Sequence, residues 1–252
     1  MVGHLISGPS IISAWAQAVE YMVAAGDSPT FLAVTAGAGW PERAAWLSDL
    51  DRVLTARGGE RPTSVSDVLL PATVTTANGT LDERLHAGSR LFSRGRRRGI
   101  RYSGWRHTYY ERLTGYFLDR ESKRHEIKQE NRLKAIIGKI NHWGKNAEGA
   151  LYLHTDAPSD RLRTRGSPCL QYVQFRLYGN QELELFALYR SHDYLNKSLG
   201  NMLGLQRLGS FVAGETGRSY TRQTVFSLHP TLGTSKAIMR ALVDDVRALP
   251  GI

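Results

Sequence analysis

The sequence holds one cysteine, Cys169, in 252 residues. No intrachain disulfide can form, which fits a reducing compartment and isolates one thiol as a potential nucleophile. No apolar run approaches the ~20 residues that a membrane-crossing helix needs. The opening MVGHLISGPSIISAW lacks a basic leader with an apolar stretch and a small-residue cleavage site. A cytoplasmic protein outside the membrane is therefore expected. The histidines show neither an HExxH pair nor a Cys/His ligand spacing, so no metal site is expected. There is no P-loop, and the Gly37-Ala38-Gly39 run is too short for a dinucleotide fingerprint. Repeats and low-complexity linkers are absent too, and one domain over residues 1–252 is the expectation.

Among the features present, basic charge comes first. Lys and Arg number 33 against 23 Asp and Glu, a net charge of +10, which favours an anionic partner such as nucleotide phosphate or nucleic acid. Residues 10–25 read as an amphipathic helix capped by Ser10, with Ile11, Ile12, Trp15, Val19, Met22 and Val23 on one face. FLAVTAG (31–37) reads as a buried strand, and 41–59 as a helix with Pro41 in its first turn. Residues 60–80 read as a buried loop or short element around Pro71. A helix over 81–92 is expected to run into a basic, Gly-punctuated loop, SRGRRRGIR. A charged helix is expected over 121–143 and a strand over 150–155. LQYVQFRLY and ELELFALYR flank Gly179-Asn180, a hairpin signal. A glycine-broken helix, a strand and a closing helix complete the chain. Mixed strands and helices around one long hairpin predict an α+β fold, with helices flanking a mixed sheet.

The stretch SPCLQYVQFRLYGNQELELFALYRSHDYLNKSLGN (167–201) carries the chemistry. Pro168-Cys169 precedes the hairpin, Arg190-Ser191-His192-Asp193 ends its return strand, and Asn201 follows eight residues after Asp193. This pattern resembles the catalytic segment of thymidylate synthases and the related pyrimidine nucleotide hydroxymethylases. YSGWR (102–106) is similar to the family's Tyr-Gly-x-x-Trp-Arg element, one residue shorter, and NRLKAIIGKI fits the helix after it. His229 is similar to the family's sugar-binding histidine, two residues out of register. The resemblance covers roughly 100–230. It implies a synthase-like fold, a homodimer formed through the sheet, a pyrimidine nucleotide substrate and methylenetetrahydrofolate as cofactor.

The implied roles make chemical sense. A thiolate adding to carbon 6 of a pyrimidine turns carbon 5 into a nucleophile able to attack a one-carbon unit. Cys169 would be that thiolate. Arg190 would lower its pKa and grip phosphate as a planar fork, with Ser191 adding a hydroxyl. By the resemblance Asn201 reads the base edge, and an amide there favours uracil over cytosine. Asp193 would hold the folate ring, or else cap a helix. Glu83 is the choice for general acid/base, with Glu60 as competitor. The sequence also departs from the family. Leu170 replaces the His after the nucleophile, no arginine pair lies near residues 148–150, and Lys197 stands at a glycine position. The basic run Arg94, Arg96, Arg97, Arg98 and Arg101 is the candidate replacement for the missing phosphate arginines. These losses point to a divergent methyl- or hydroxymethyltransferase, and the alternative is a synthase-like protein that binds a nucleotide or nucleic acid without turnover.

Overall fold

A computed structural model of the protein describes residues 3–25, 31–38, 44–97, 107–118, 125–127, 131–143, 149–155, 167–179 and 181–249. The first elements are strand β1 (His4–Gly8), helix α1 (Ile11–Ala24) and strand β2 (Leu32–Gly37). Ser10 caps α1, its side chain accepting from the Ser13 amide at 3.2 Å, and the apolar stripe read from the sequence is buried. Helices α2 (Ala44–Ala56), α3 (Pro62–Leu69), α4 (Ala72–Thr76) and α5 (Leu81–Arg97) follow. Residues 60–80, expected as a buried loop, thus contain two short helices meeting at Leu70-Pro71, where Pro71 cannot extend α3. Helix α5 also continues through Arg94 to Arg97, so that part of the basic run is helical rather than looped.

Helix α6 (Tyr109–Thr114) leads into strands β3 (Tyr116–Leu118) and β4 (His125–Ile127) and helix α7 (Arg132–Trp143). The charged helix expected over 121–143 therefore begins only at Arg132. Strands β5 (Tyr152–His154), β6 (Leu170–Tyr178), β7 (Glu182–Tyr189) and β8 (His192–Asp193) come next. A π-helical turn (Tyr194–Ser198) joins helix α8 (Leu199–Glu215), then strands β9 (Ser219–Ser227) and β10 (Pro230–Thr231) and helix α9 (Lys236–Arg247).

The six-stranded sheet has the order β1-β2-β9-β7-β6-β5 and is mixed, with β1/β2 and β7/β9 parallel and the other pairs antiparallel. Because side chains alternate between faces, register aligns one row across all six strands: Ile6, Val34, Val225, Ala187, Val173 and Leu153. Every member of that row is buried. The neighbouring row, Leu5, Ala33, Phe226, Leu188, Tyr172 and His154, points to the opposite face. It is less covered, and Leu5 is 69% exposed. The β6–β7 hairpin turns at Gly179, whose φ of 58° suits glycine.

Gly200 and Gly204 of α8, read from sequence as helix breakers, are packing positions. A Cβ on Gly200 would stand 2.5 Å from the Val65 Cβ and 2.8 Å from the Pro62 carbonyl, and one on Gly204 would stand 2.9 Å from the Ser66 carbonyl. Their bare faces let α3 lie against α8. Gly200→Ala is expected to destabilise the protein by about 1–3 kcal/mol through overpacking. An unchanged urea midpoint would contradict this close approach. No helix among the described residues is long and apolar enough to cross a membrane.

Candidate active site

The hairpin brings Cys169 and Arg190 together. Leu170 pairs with Tyr189 at the end of the ladder, and the Arg190 amide donates to the Cys169 carbonyl at 2.9 Å. The Arg190 guanidinium donates to the carbonyls of Pro168 (3.1 Å) and Ser167 (2.8 Å), pinning the chain before the cysteine. Cys169 is half-buried. Burial pushes its thiol up from the usual value, while the nearby Arg190 and Lys197 cations oppose that rise. Arg190 thus acts on the thiol in the expected direction, but desolvation outweighs it and the thiol stays above its usual value.

Helix α6 buttresses this end of the hairpin. Thr108 and Glu111 form a reciprocal capping box, with the Thr108 amide donating to the Glu111 carboxylate at 2.7 Å. The helix so started presents Tyr109, whose hydroxyl accepts from the Leu170 amide at 3.0 Å. Arg112 donates to the Thr155 carbonyl at 3.0 Å, and the Thr155 hydroxyl donates to the Leu170 carbonyl. Both peptide groups of Leu170 are thus tied down directly behind the thiol. Tyr189, fully buried on the other strand, has a hydroxyl without a hydrogen-bond partner among the described residues. Burial raises its pKa, and charge on Tyr109 or Cys169 would raise it further.

Behind Arg190 lies a buried polar group. His192 stacks on Tyr189 with centroids 4.2 Å apart and rings 1° from parallel. Its Nδ1 lies 2.9 Å from the Ser227 hydroxyl, and its Nε2 lies 3.1 Å from Asn201 Nδ2. Burial lowers the imidazole pKa from 6.5 to about 3, so the ring is neutral. The His192 amide also donates to the His229 carbonyl at 3.0 Å, and β8 pairs with β10 through His192 and Pro230. Asn201, on the first turn of α8, and the exposed His229 are therefore joined to the Arg190 segment through one residue.

The other candidates fall in different places. Asp193 caps the π-helical turn: its Oδ1 accepts from the amides of Leu195 (3.0 Å) and Asn196 (2.9 Å), and its Oδ2 accepts from Asn196 Nδ2 at 2.8 Å. Ser191 is half-buried, and its side chain makes no hydrogen bond among the described residues. Glu83 forms a capping box with Thr80, accepting from the Thr80 amide at 2.8 Å, and these bonds hold its carboxyl below the usual range. It lines an open cleft of about 730 Å³ whose walls include neither Cys169 nor Arg190. Glu60, the competitor, is ion-paired to Lys197, the second cation acting on the thiol. Arg96 and Arg97 lie on the last turn of α5, about 21 Å along the axis from Glu83. Their side chains, like Arg98, Arg101 and the YSGWR element, lie outside the described residues. No cluster of three or more His, Cys, Asp or Glu suited to a metal occurs among the described residues.

Sequence reasoning missed Tyr109, Arg112, Thr155 and Tyr189. Only the first two had a readable signal, since Thr108-x-x-Glu111 is the pattern of a capping box and marks a helix start.

No protein-family model matches the chain. Over 105 residues it is 35% identical to a protein of Methanocaldococcus jannaschii named "Putative thymidylate synthase". The match takes in 39% of this chain and 46% of that protein, so the chain spans about half the length of the curated relative it resembles. The likeness to thymidylate synthases is thus partial.

Proposed function

We propose that the protein is a divergent enzyme of the thymidylate-synthase type, adding a methyl or hydroxymethyl group to carbon 5 of a pyrimidine nucleotide, uracil preferred. The observation that carries this reading is the half-buried Cys169 facing Arg190 at the open end of the hairpin, with Asn201 and His229 linked behind them. In the first step the Cys169 sulfur bonds to carbon 6, and the C5–C6 π pair moves through carbon 4 onto its oxygen as an enolate. Carbon 5 can then take an electrophile. Loss of its proton and expulsion of the thiolate restore the ring. Arg190 and Ser191 would hold the phosphate, His229 the sugar and Asn201 the base edge. Glu60 joins Glu83 as a candidate acid/base, supported by its link through Lys197.

Methylenetetrahydrofolate is the donor that the resemblance implies, but the residues here fit it poorly. Both Asp193 oxygens are committed to the π-helical turn, and Lys197 is paired with Glu60 where the family has glycine. The test needs no donor: wild-type protein should release tritium from carbon 5 of labelled dUMP or UMP, faster than from dCMP or CMP. Tight nucleotide binding with no release, with or without methylenetetrahydrofolate, would favour the non-catalytic reading.

The uncovered sheet face fits a homodimer. Phe226, Leu188 and Tyr172 lie on it only partly buried, and Thr35 and Thr224 join hydroxyls there at 3.0 Å. Sedimentation is expected to give a species near twice 28.1 kDa that persists at micromolar concentration. Leu188→Arg on the same face should convert it to monomer. A wild-type monomer would count against a sheet-mediated dimer.

A further inference from the structure

We infer that His192 is a specificity-determining positioning residue, whose Nε2 fixes which way round the Asn201 carboxamide faces a bound base. This rests on the proposal that Asn201 reads a pyrimidine edge. The oxygen and nitrogen ends of a carboxamide are almost the same shape, so an unconstrained asparagine can turn over. That matters for pyrimidines, because uracil presents a ring N–H donor beside a carbonyl acceptor, and cytosine presents the reverse. A freely turning amide would pair with either.

The structure supplies what removes that freedom. Asn201 Nδ2 lies 3.1 Å from His192 Nε2. With the amide nitrogen on that side Nε2 is the acceptor, and the ring proton then sits on Nδ1, facing the Ser227 hydroxyl at 2.9 Å, which can accept it. Turning the amide over would set Oδ1 against the Nε2 lone pair. The imidazole cannot swing aside, because it is buried, stacked on Tyr189 and packed edge-on to Tyr194 at 5.5 Å. Its own amide is anchored to the His229 carbonyl. With one N–H given to His192, Asn201 retains one N–H and its oxygen, the donor–acceptor pair that complements uracil. The oxygen has no hydrogen-bond partner among the described residues. Sequence reading assigned His192 no role.

Two measurements test this. Long-range 1H–15N correlation spectra of the wild-type protein should show His192 protonated on Nδ1 and bare on Nε2, and a proton on Nε2 overturns the inference. Calorimetric titration with dUMP and dCMP should show wild type preferring dUMP by at least about tenfold. His192→Phe keeps a ring on Tyr189 but removes the acceptor, and should narrow the ratio to within about threefold. His192→Gln, whose side-chain oxygen can accept from Asn201, should recover most of it, which a purely structural role would not predict. A full ratio in a folded His192→Phe protein overturns the inference. Should that variant not fold, the wild-type spectrum decides. Wild-type protein that binds neither nucleotide overturns the base-reading assignment of Asn201 and the specificity role with it, whereas a bare Nε2 would still uphold the carboxamide lock.

Discussion

Cys169→Ser is expected to reduce tritium release from carbon 5 of dUMP by a factor on the order of 10⁴, and to abolish the covalent adduct with a 5-fluorinated pyrimidine nucleotide. The size follows from the chemistry. Serine keeps nearly the same shape, but its hydroxyl ionises far less readily than a thiol, and no base stands beside it among the described residues. The half-buried position of Cys169 also sets a pH dependence. Burial outweighs Arg190 and Lys197 and raises the thiol pKa above 9.0, so the free protein at pH 7 holds little thiolate. Alkylation by iodoacetamide should therefore speed up by about tenfold per pH unit from pH 7 toward 9. Arg190→Ala removes the largest opposing charge and should slow it further. Unchanged tritium release in Cys169→Ser would remove the nucleophile from the mechanism, and a pH-independent alkylation rate would show that the thiol is already ionised.

The legible parts of the chain are those whose physics is local. The β6–β7 hairpin is readable because apolar residues alternate with period two on both sides of Gly179, and helix α1 because Ser10 precedes a 3.6-period apolar stripe. Since Cys169 and Arg190 bracket that hairpin, their juxtaposition is readable too. Harder cases turn on partners distant in sequence. Strand β1, His4–Gly8, is short and among the described residues pairs with β2 alone, so no internal pattern marks it. Gly200 and Gly204 look like helix breakers until α3 is seen to fill the space beside them. Helix α5 extends through arginines that form no apolar stripe.

The site divides in the same way. Asn201 is recognisable from its spacing to Asp193, but the histidine that grips its amide is recognisable only once the turn between them is folded. Glu83 had the sequence position of an acid/base residue. Its partner Thr80, three residues away, also makes it part of a helix start, a Thr-x-x-Glu pattern that is legible in the sequence. The pairing of Glu60 with Lys197 spans two distant segments, and no spacing rule reports it.

His192 is expected to make the fold acid-sensitive. Burial lowers its pKa from 6.5 to about 3, and the groups around it are Tyr189, Tyr194, Ser227 and Asn201, none of which carries a negative charge to stabilise an imidazolium. Above pH 6.5 the ring is neutral in folded and unfolded chains alike, and it imposes no pH dependence. Below pH 6.5 the unfolded chain takes up the proton and the folded chain does not, so stability falls by about 1.4 kcal/mol per pH unit. The loss levels off near pH 3, where the folded form also protonates, after roughly 5 kcal/mol. That approaches the whole stability of an ordinary domain, about 5–15 kcal/mol. Carboxylates titrate over the lower part of the same range, so the decisive quantity is a difference between proteins. Urea unfolding at pH 7 and pH 4.5 should show wild type losing roughly 2–3 kcal/mol more than His192→Gln, which has no proton to take up there. Parallel losses in the two proteins would mean that water or a counter-charge reaches the imidazole, and that His192 is not the neutral, enclosed ring described.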